Sequence, residues 1–184
     1  DARRALSILA RTGVPNRVGE QRFGYLANNH EIGRAILLGR WREACDLLLG
    51  PHPLAPASQA RMREAYSEGD YEGALATLPR TAYAERRALR TLRDGAGPER
   101  AIMNIERRQR SFYVTSFQSA VFNAVLDARI ADGSFARLEA GDVAAAHGGR
   151  KTFRIGEAEA ADAEIERRCR DLEISPTGPM WGAD

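Results

Sequence analysis

Gly39-Arg40-Trp41-Arg42-Glu43-Ala44-Cys45 returns thirty residues later as Gly69-Asp70-Tyr71-Glu72-Gly73-Ala74-Leu75. In both copies a glycine is followed by one residue, an aromatic, two more residues and an alanine. Glycine enters left-handed backbone without a steric penalty, so a helix can stop there and the chain can reverse. An aromatic after the reversal, packed behind a small alanine, starts a second helix close against the first. Around the first copy, Asn28 with Glu31 three residues on has the form of a capping box. Ile32, Ala35 and Ile36 follow on one helical face, then Trp41, Ala44, Cys45 and Leu48 on the next helix. Gly50-Pro51-His52-Pro53 and Pro56 stop that helix. Ser58 is placed to cap a helix through Tyr66 that leads into the second copy. The pattern predicts helix pairs of the tetratricopeptide-like kind, in two copies.

Working outward, residues 2–11 carry Ala5, Leu6, Ile8 and Leu9 on one side, which predicts a short amphipathic helix ended by Gly13 and Pro15. Residues 13–24 hold three glycines, a proline and an asparagine, the composition of a shaped loop. Residues 83–93 read as a basic helix, Gly95-Ala96-Gly97-Pro98 as a break, and 99–108 as another short helix. A long helix is predicted from Ser111 to about Ile130, with Phe122, Val125, Leu126 and Ile130 on a buried face; Asp132-Gly133 ends it. Residues 142–155 read as a β-hairpin turning at Gly148-Gly149. Residues 157–172 read as one helix, acidic early and basic late, as the macrodipole favours. The tail 174–182 reads as an extended loop with two prolines. The expected fold class is α+β, mostly helical, with helices packed beside one small β-hairpin or sheet.

At 184 residues the chain fits one domain, and a chain of this length buries roughly 70% of its unfolded surface, enough to hold a core without disulfides or metals. Hydrophobic residues at 43% and charged residues at 28% exclude disordered and fibrous classes. No uncharged apolar run approaches membrane-spanning length, and no signal peptide is recognised, so a cytoplasmic chain that binds no membrane is expected. Cys45 and Cys169 sit on separate polar-flanked helical patterns and are expected to be free thiols. The chain opens on Asp1 and directly into a helical pattern, which reads as a piece of a longer protein or a trimmed expression product. The net charge is +2, yet among 27 basic residues only Lys151 is not arginine. A GC-rich genome is the simplest explanation of that bias; arginine's planar fork nonetheless suits phosphate and base stacking.

Much chemistry is absent. His30, His52 and His147 share no ligand spacing with carboxylates or cysteines, so no metal is expected. No phosphate-binding P-loop and no Gly-x-Ser-x-Gly elbow occurs. The 10 aspartates and 15 glutamates fall mostly on solvated helical faces. No complete active site is visible.

Three blocks carry a family resemblance. Asn16-Arg17-Val18-Gly19-Glu20-Gln21-Arg22-Phe23-Gly24 resembles the Asn-Tyr-Phe-Gly-x-Gln-Arg-Phe-Gly signature of the TruD family of tRNA pseudouridine synthases, with Arg17 and Val18 where the family has Tyr and Phe. Arg110-Ser111-Phe112-Tyr113 and Gln118-Ser119-Ala120-Val121-Phe122-Asn123 are similar to its Arg-x-Phe-Tyr and Gln-Ser-x-x-Phe-Asn helix. Pro176-Thr177-Gly178-Pro179-Met180-Trp181-Gly182 is similar to its Pro-Thr-Gly-Pro-Leu-Trp-Gly loop. The resemblance implies that residues 1–184 are the TRUD domain, inserted into a catalytic domain outside this chain and forming one side of an RNA-binding cleft. It implies isomerisation of a uridine in tRNA to pseudouridine, by an aspartate nucleophile in a Gly-x-Lys-Asp block, with no cofactor or metal. That block is expected upstream of residue 1: the single lysine here precedes Thr152. The chain alone is therefore expected to be inactive.

The residues expected to shape the cleft or touch RNA are Asn16, Arg17, Gln21, Arg22, Phe23 and Arg110. A purely structural reading makes Asn16 a turn former, Phe23 a core anchor and Arg22 an ion-pair brace. From Arg86 to Arg110, eight arginines face Asp94, Glu99 and Glu106. That segment is either an RNA-facing patch or a solvated helix surface. Phe112, Tyr113, Phe117 and Phe122 are read as core. The expected partner is tRNA and the expected state a monomer. The competing functions are a tetratricopeptide-like interaction module and an RNA-binding homologue without chemistry.

Overall fold

The computed structural model describes residues 1–178, which divide into two compact units, one of residues 19–120 and one of residues 1–18 with 121 onward. In chain order the helices are α1 (Ala2–Thr12), α2 (Asn29–Leu37), α3 (Trp41–Leu49), α4 (Ala60–Ser67), α5 (Tyr71–Thr77), α6 (Tyr83–Arg93), α7 (Pro98–Met103), α8 (Arg107–Ala131), α9 (Glu157–Ala160) and α10 (Ala163–Arg170). The strands are β1 (Val143–Ala146), β2 (Thr152–Arg154) and β3 (Ile174–Pro176). The mostly helical α+β class holds. The tail segment 179–184, with the last part of the third sequence block, lies outside the described residues.

The unit 19–120 is built from glycine-turned helix pairs. Gly39 and Gly69 both take positive φ, 66° and 80°. At each turn the following residue donates five residues back, Arg40 N to Ala35 O at 2.9 Å and Asp70 N to Ala65 O at 2.8 Å. These Schellman closures satisfy the last helical carbonyls. Ala44 and Ala74 are fully buried, with Trp41 and Tyr71 half-buried against the same core. A third pair, α6 and α7, turns in the same way at Gly95: φ is 84°, and Ala96 N donates to Thr91 O at 3.1 Å. Ala101 takes the alanine's place, six residues after the glycine instead of five, and Pro98 replaces the aromatic. That one-residue shift hid the third pair in the sequence. Ile32, Leu49, Met62, Leu89 and Ile102 fill the shared core.

Several local expectations change. Asn28 makes no side-chain cap; it is buried and its Nδ2 donates to Leu47 O at 2.8 Å, tying α2 to α3. Ser58 lies in a short 3-10 turn, and Gln59 is the N-cap of α4. The helix expected over 99–108 ends at Met103, and α8 starts at Arg107, four residues before Ser111. The aromatics of α8 divide as well: Tyr113 is buried, and Phe112, Phe117 and Phe122 are half-buried.

In the other unit, β1 is the central strand of an antiparallel sheet ordered β2-β1-β3. Ala144, fully buried, faces Phe153 on one side and Pro176 on the other. The first three residues of the segment expected to be an extended loop, Ile174–Pro176, are thus the third strand, an edge strand where a proline costs no ladder bond. Gly148, at φ 77°, turns the β1–β2 hairpin as expected. Leu138, Ala144, Ile155, Cys169 and Ile174 form the small core. The helix expected over 157–172 is two, because Asp162 caps α10 by accepting from Glu164 N at 2.8 Å. On α1, Leu6 is 65% exposed and Ile8 and Leu9 are exposed too, so its apolar stripe lies open. Ile130 is likewise exposed, not buried.

Two tests follow from packing. A Cβ on Gly33 of α2 would sit 2.1 Å from the Tyr113 carbonyl oxygen of α8, a backbone atom that cannot step aside. Gly33→Ala is expected to cost about 3 kcal/mol, measured by denaturant melts, since overpacking against backbone is not relieved by rotamers. The second concerns Cys45, fully buried with its Sγ 3.7 Å from Pro98 O. Burial, with Asp46 nearby, pushes its thiol up to about 12. An unfolded thiol titrates near 8.5. The folded chain therefore holds the proton more tightly, and this contribution to stability is intact below about pH 8.5 and lost as pH rises toward 12. Thiol-reagent labelling at neutral pH is expected to reach Cys45 only on unfolding; rapid labelling of the native chain would contradict its burial.

Candidate functional site

The segment 13–24 has little secondary structure of its own beyond one 3-10 turn, and side chains supply several of its hydrogen bonds. In the unit containing residues 1–18, Asn123 of α8 holds both polar groups of Val18: Val18 N donates to Asn123 Oδ1 at 2.9 Å, and Asn123 Nδ2 donates to Val18 O at 3.0 Å. Asn123 is buried, so these bonds are shielded from water. Arg17 is exposed and forms an ion pair with Asp127, one turn further along α8.

Next to this clamp lies a cavity of about 390 Å³, lined by Asn16, Phe122, Leu126, Phe135, His147 and Cys169 among others. Ser175, Pro176, Thr177 and Gly178 close another wall. Gly178 approaches Phe122 so tightly that a Cβ there would fall 2.0 Å from Cε2 of the ring. His147 Nε2 lies 3.0 Å from Ser175 Oγ, joining β1's end to β3. Arg129, another wall residue, pairs with Asp142 at 2.7 Å and donates to the Ser134 and Arg137 carbonyls. The Asp142 hydrogen bond raises the Arg129 guanidinium further above its usual range. The cavity therefore gathers residues from all three sequence blocks: Asn16, Phe122 and the Pro176-Thr177-Gly178 segment.

In the unit 19–120, Glu20–Phe23 form a single 3-10 turn. Arg22 is braced on α8: Nη2 donates to Thr115 Oγ1 at 2.8 Å, and the guanidinium lies 5.0 Å above the Phe112 ring. The Arg22 carbonyl accepts from Ser116 Oγ at 3.0 Å and Asn29 Nδ2 at 3.3 Å. Phe23 meets His30 edge-on at 5.2 Å. Gln21 is exposed. Arg110 is turned to its own helix start, donating through Nε to Ile105 O at 3.0 Å.

The structure thus brings Asn16 to the cavity with His147 and Phe135, and uses Asn123 to hold the Val18 backbone; none of these three was a candidate site residue. It sets Arg22, Phe23 and Arg110 in bracing positions instead. The Gln-Ser-x-x-Phe-Asn block was the available signal for Asn123. His147 was weighed only as a metal ligand, and no cluster of three metal-ligating side chains occurs among the described residues. Of the basic segment, Arg86 caps α5 through the Leu75 and Leu78 carbonyls, and Arg93 pairs with Glu72 and Asp94. No described helix is long and apolar enough to cross a membrane.

The family model described as tRNA pseudouridine synthase D (TruD) matches residues 1–184. The chain belongs to the TruD family. It is 39% identical over 183 residues to the tRNA pseudouridine synthase D of Geobacter sulfurreducens, covering 98% of this chain and 43% of the relative. It is 38% identical to that of Geobacter sp. M21, covering 99% and 45%. The crystal structure of a Methanosarcina mazei protein assigned as tRNA pseudouridine synthase D superimposes with a TM-score of 0.76 at 24% identity, over 91% of this chain and 40% of that one, a likeness of fold. The TruD chain described here thus spans less than half the length of the curated relatives it matches.

Two substitutions separate bracing from surface roles. Arg22→Ala removes a charged hydrogen bond and a ring contact, and is expected to lower stability by about 2 kcal/mol in thermal or urea melts. Arg17→Ala breaks only an exposed ion pair and is expected to change stability by less than about 1 kcal/mol. The reverse order would contradict the placement of these two side chains.

Proposed function

We propose that this chain is the RNA-gripping TRUD domain of an enzyme that isomerises a uridine in tRNA to pseudouridine, with the catalytic domain and its aspartate nucleophile outside these 184 residues. The observation that carries the reading is the meeting of the three sequence blocks at one cavity, with Asn16 held beside the Val18–Asn123 clamp. The reaction breaks the N-glycosidic bond of the uridine, turns the base and rejoins it to the sugar through carbon. The base must leave the stack to be reached, so the domain's task is to grip and shape RNA around it. In this reading Asn16 and Arg17 are the cleft residues of one unit; within the unit 19–120, Gln21 is the exposed candidate, and Arg22, Phe23 and Arg110 are braced cleft-forming residues. Neither cofactor nor metal is required, and a cytoplasmic monomer is the matching state.

The three glycine-turned helix pairs favour a second reading, a protein-interaction module of helical repeats. RNA binding separates the two. The isolated chain is expected to bind tRNA weakly, with log K falling by about 0.7 per single-stranded phosphate neutralised for each decade of salt. Arg22→Ala is expected to leave that slope unchanged. In a tritium-release assay on uridine-labelled tRNA, the isolated chain is expected to form no pseudouridine. Turnover by the chain would place the nucleophile within it, and absence of tRNA binding at low salt would favour the interaction module.

A further inference from the structure

Within the unit 19–120, α6 borders an open groove of about 580 Å³ whose wall includes Arg80, Tyr83, Arg87, Arg90, Glu106 and Gln109. Tyr83, Arg87 and Arg90 stand at i, i+4 and i+7 and so share one helical face. Tyr83 is 76% exposed, far more than an aromatic ring needs if its work is packing. Arg80, Arg87 and Arg90 are exposed, and among the described residues none has a carboxylate within ion-pair distance. This contrasts with Arg17, Arg93, Arg129 and Arg167, each of which is paired. Glu106 is the sole carboxylate of the wall. Arg86, also in the wall, is held by the Leu75 and Leu78 carbonyls and ties α6 to the end of α5.

We propose that this groove binds single-stranded RNA, with phosphates on Arg87 and Arg90 and a base stacked on Tyr83. Unpaired guanidinium groups beside an exposed ring are the combination that takes a sugar–phosphate chain and an unstacked base together, whereas an acidic polypeptide offers charge without a flat partner for the ring. Gln109, half-buried and hydrogen-bonded to Tyr113, places its amide in the same wall. The proposal rests on the RNA-binding reading above and names a surface for it.

The test is fluorescence anisotropy of a short labelled oligouridylate and of tRNA against the full 184-residue chain, over a salt series, with melting temperatures recorded for each variant. Arg87→Ala with Arg90→Ala is expected to reduce the slope of log K against log salt by about 1.4, two phosphates at about 0.7 each. The paired Lys variants are expected to retain the slope. Tyr83→Ala is expected to weaken binding about tenfold at every salt with the slope unchanged, and Tyr83→Phe to bind as wild type. All these positions are exposed, so melting temperatures are expected to hold. Wild-type RNA binding that none of these variants alters would overturn the groove and leave the RNA-binding reading standing. Failure of the wild type to bind either RNA would overturn that reading and the groove with it. Loss of poly-L-glutamate binding in the arginine variants, with RNA binding intact, would assign the groove to an acidic polypeptide and overturn the proposal.

Discussion

A segment without ladder or helix must place its peptide groups somewhere, and that constraint organises much of this chain. Residues 13–24, with only a single 3-10 turn of their own, solve it in large part by borrowing side chains. Asn123 takes the amide and the carbonyl of Val18, and Ser116 and Asn29 take the carbonyl of Arg22. A buried polar group left alone costs about 1–3 kcal/mol, so each donor has to be present and correctly placed. This accounts for Ser116 and Asn123 among the most buried positions of α8, beside Tyr113; Ser119, also buried, donates to the Thr115 carbonyl of its own helix. A helix packed only by oil would carry leucines there.

The same argument explains why the helix pairs of the unit 19–120 are so alike. Each chain reversal leaves carbonyls at a helix end, and each is closed by a left-handed glycine with a backbone bond reaching five residues back. Once the turn is fixed, alanine at the start of the second helix allows close approach, and the core fills behind it. Cys45 belongs to this pattern: it lies against the Pro98 carbonyl, which draws α3 and α7 together. Burial makes its thiol inert, so its role there is that of a small apolar side chain.

The legible parts of the sequence were those governed by local rules. The glycine turns at Gly39 and Gly69, the hairpin at Gly148 and the long helix could be read because backbone propensity and periodicity decide them. The third helix pair escaped because Pro98 and a one-residue shift broke the pattern while the turn geometry stayed the same. Strand β3 escaped because proline argues against a strand, and only the pairing with β1 shows that Pro176 lies on an edge. Asn28 had the spacing of a cap yet serves a tertiary bond to Leu47, a partner that sequence spacing does not reveal. At the candidate site, the blocks were legible as a family pattern, but their convergence was not. No periodicity tells that Gly178 meets Phe122 or that His147 reaches Ser175.

The departure of Arg17 and Val18 from the family's Tyr and Phe has a physical reading in these terms. The bonds that hold the loop at this point run to the backbone of Val18, and Asn123 supplies both. They are indifferent to which side chain Val18 carries. Arg17 keeps its place by an ion pair with Asp127, which a tyrosine could not make. The loop's course is thus specified by peptide groups and by the helix that receives them, and two aromatics can be exchanged without releasing it. What the exchange alters is the surface on show: apolar ring area is replaced by a cation and a small branched chain, while the fold that presents them is retained.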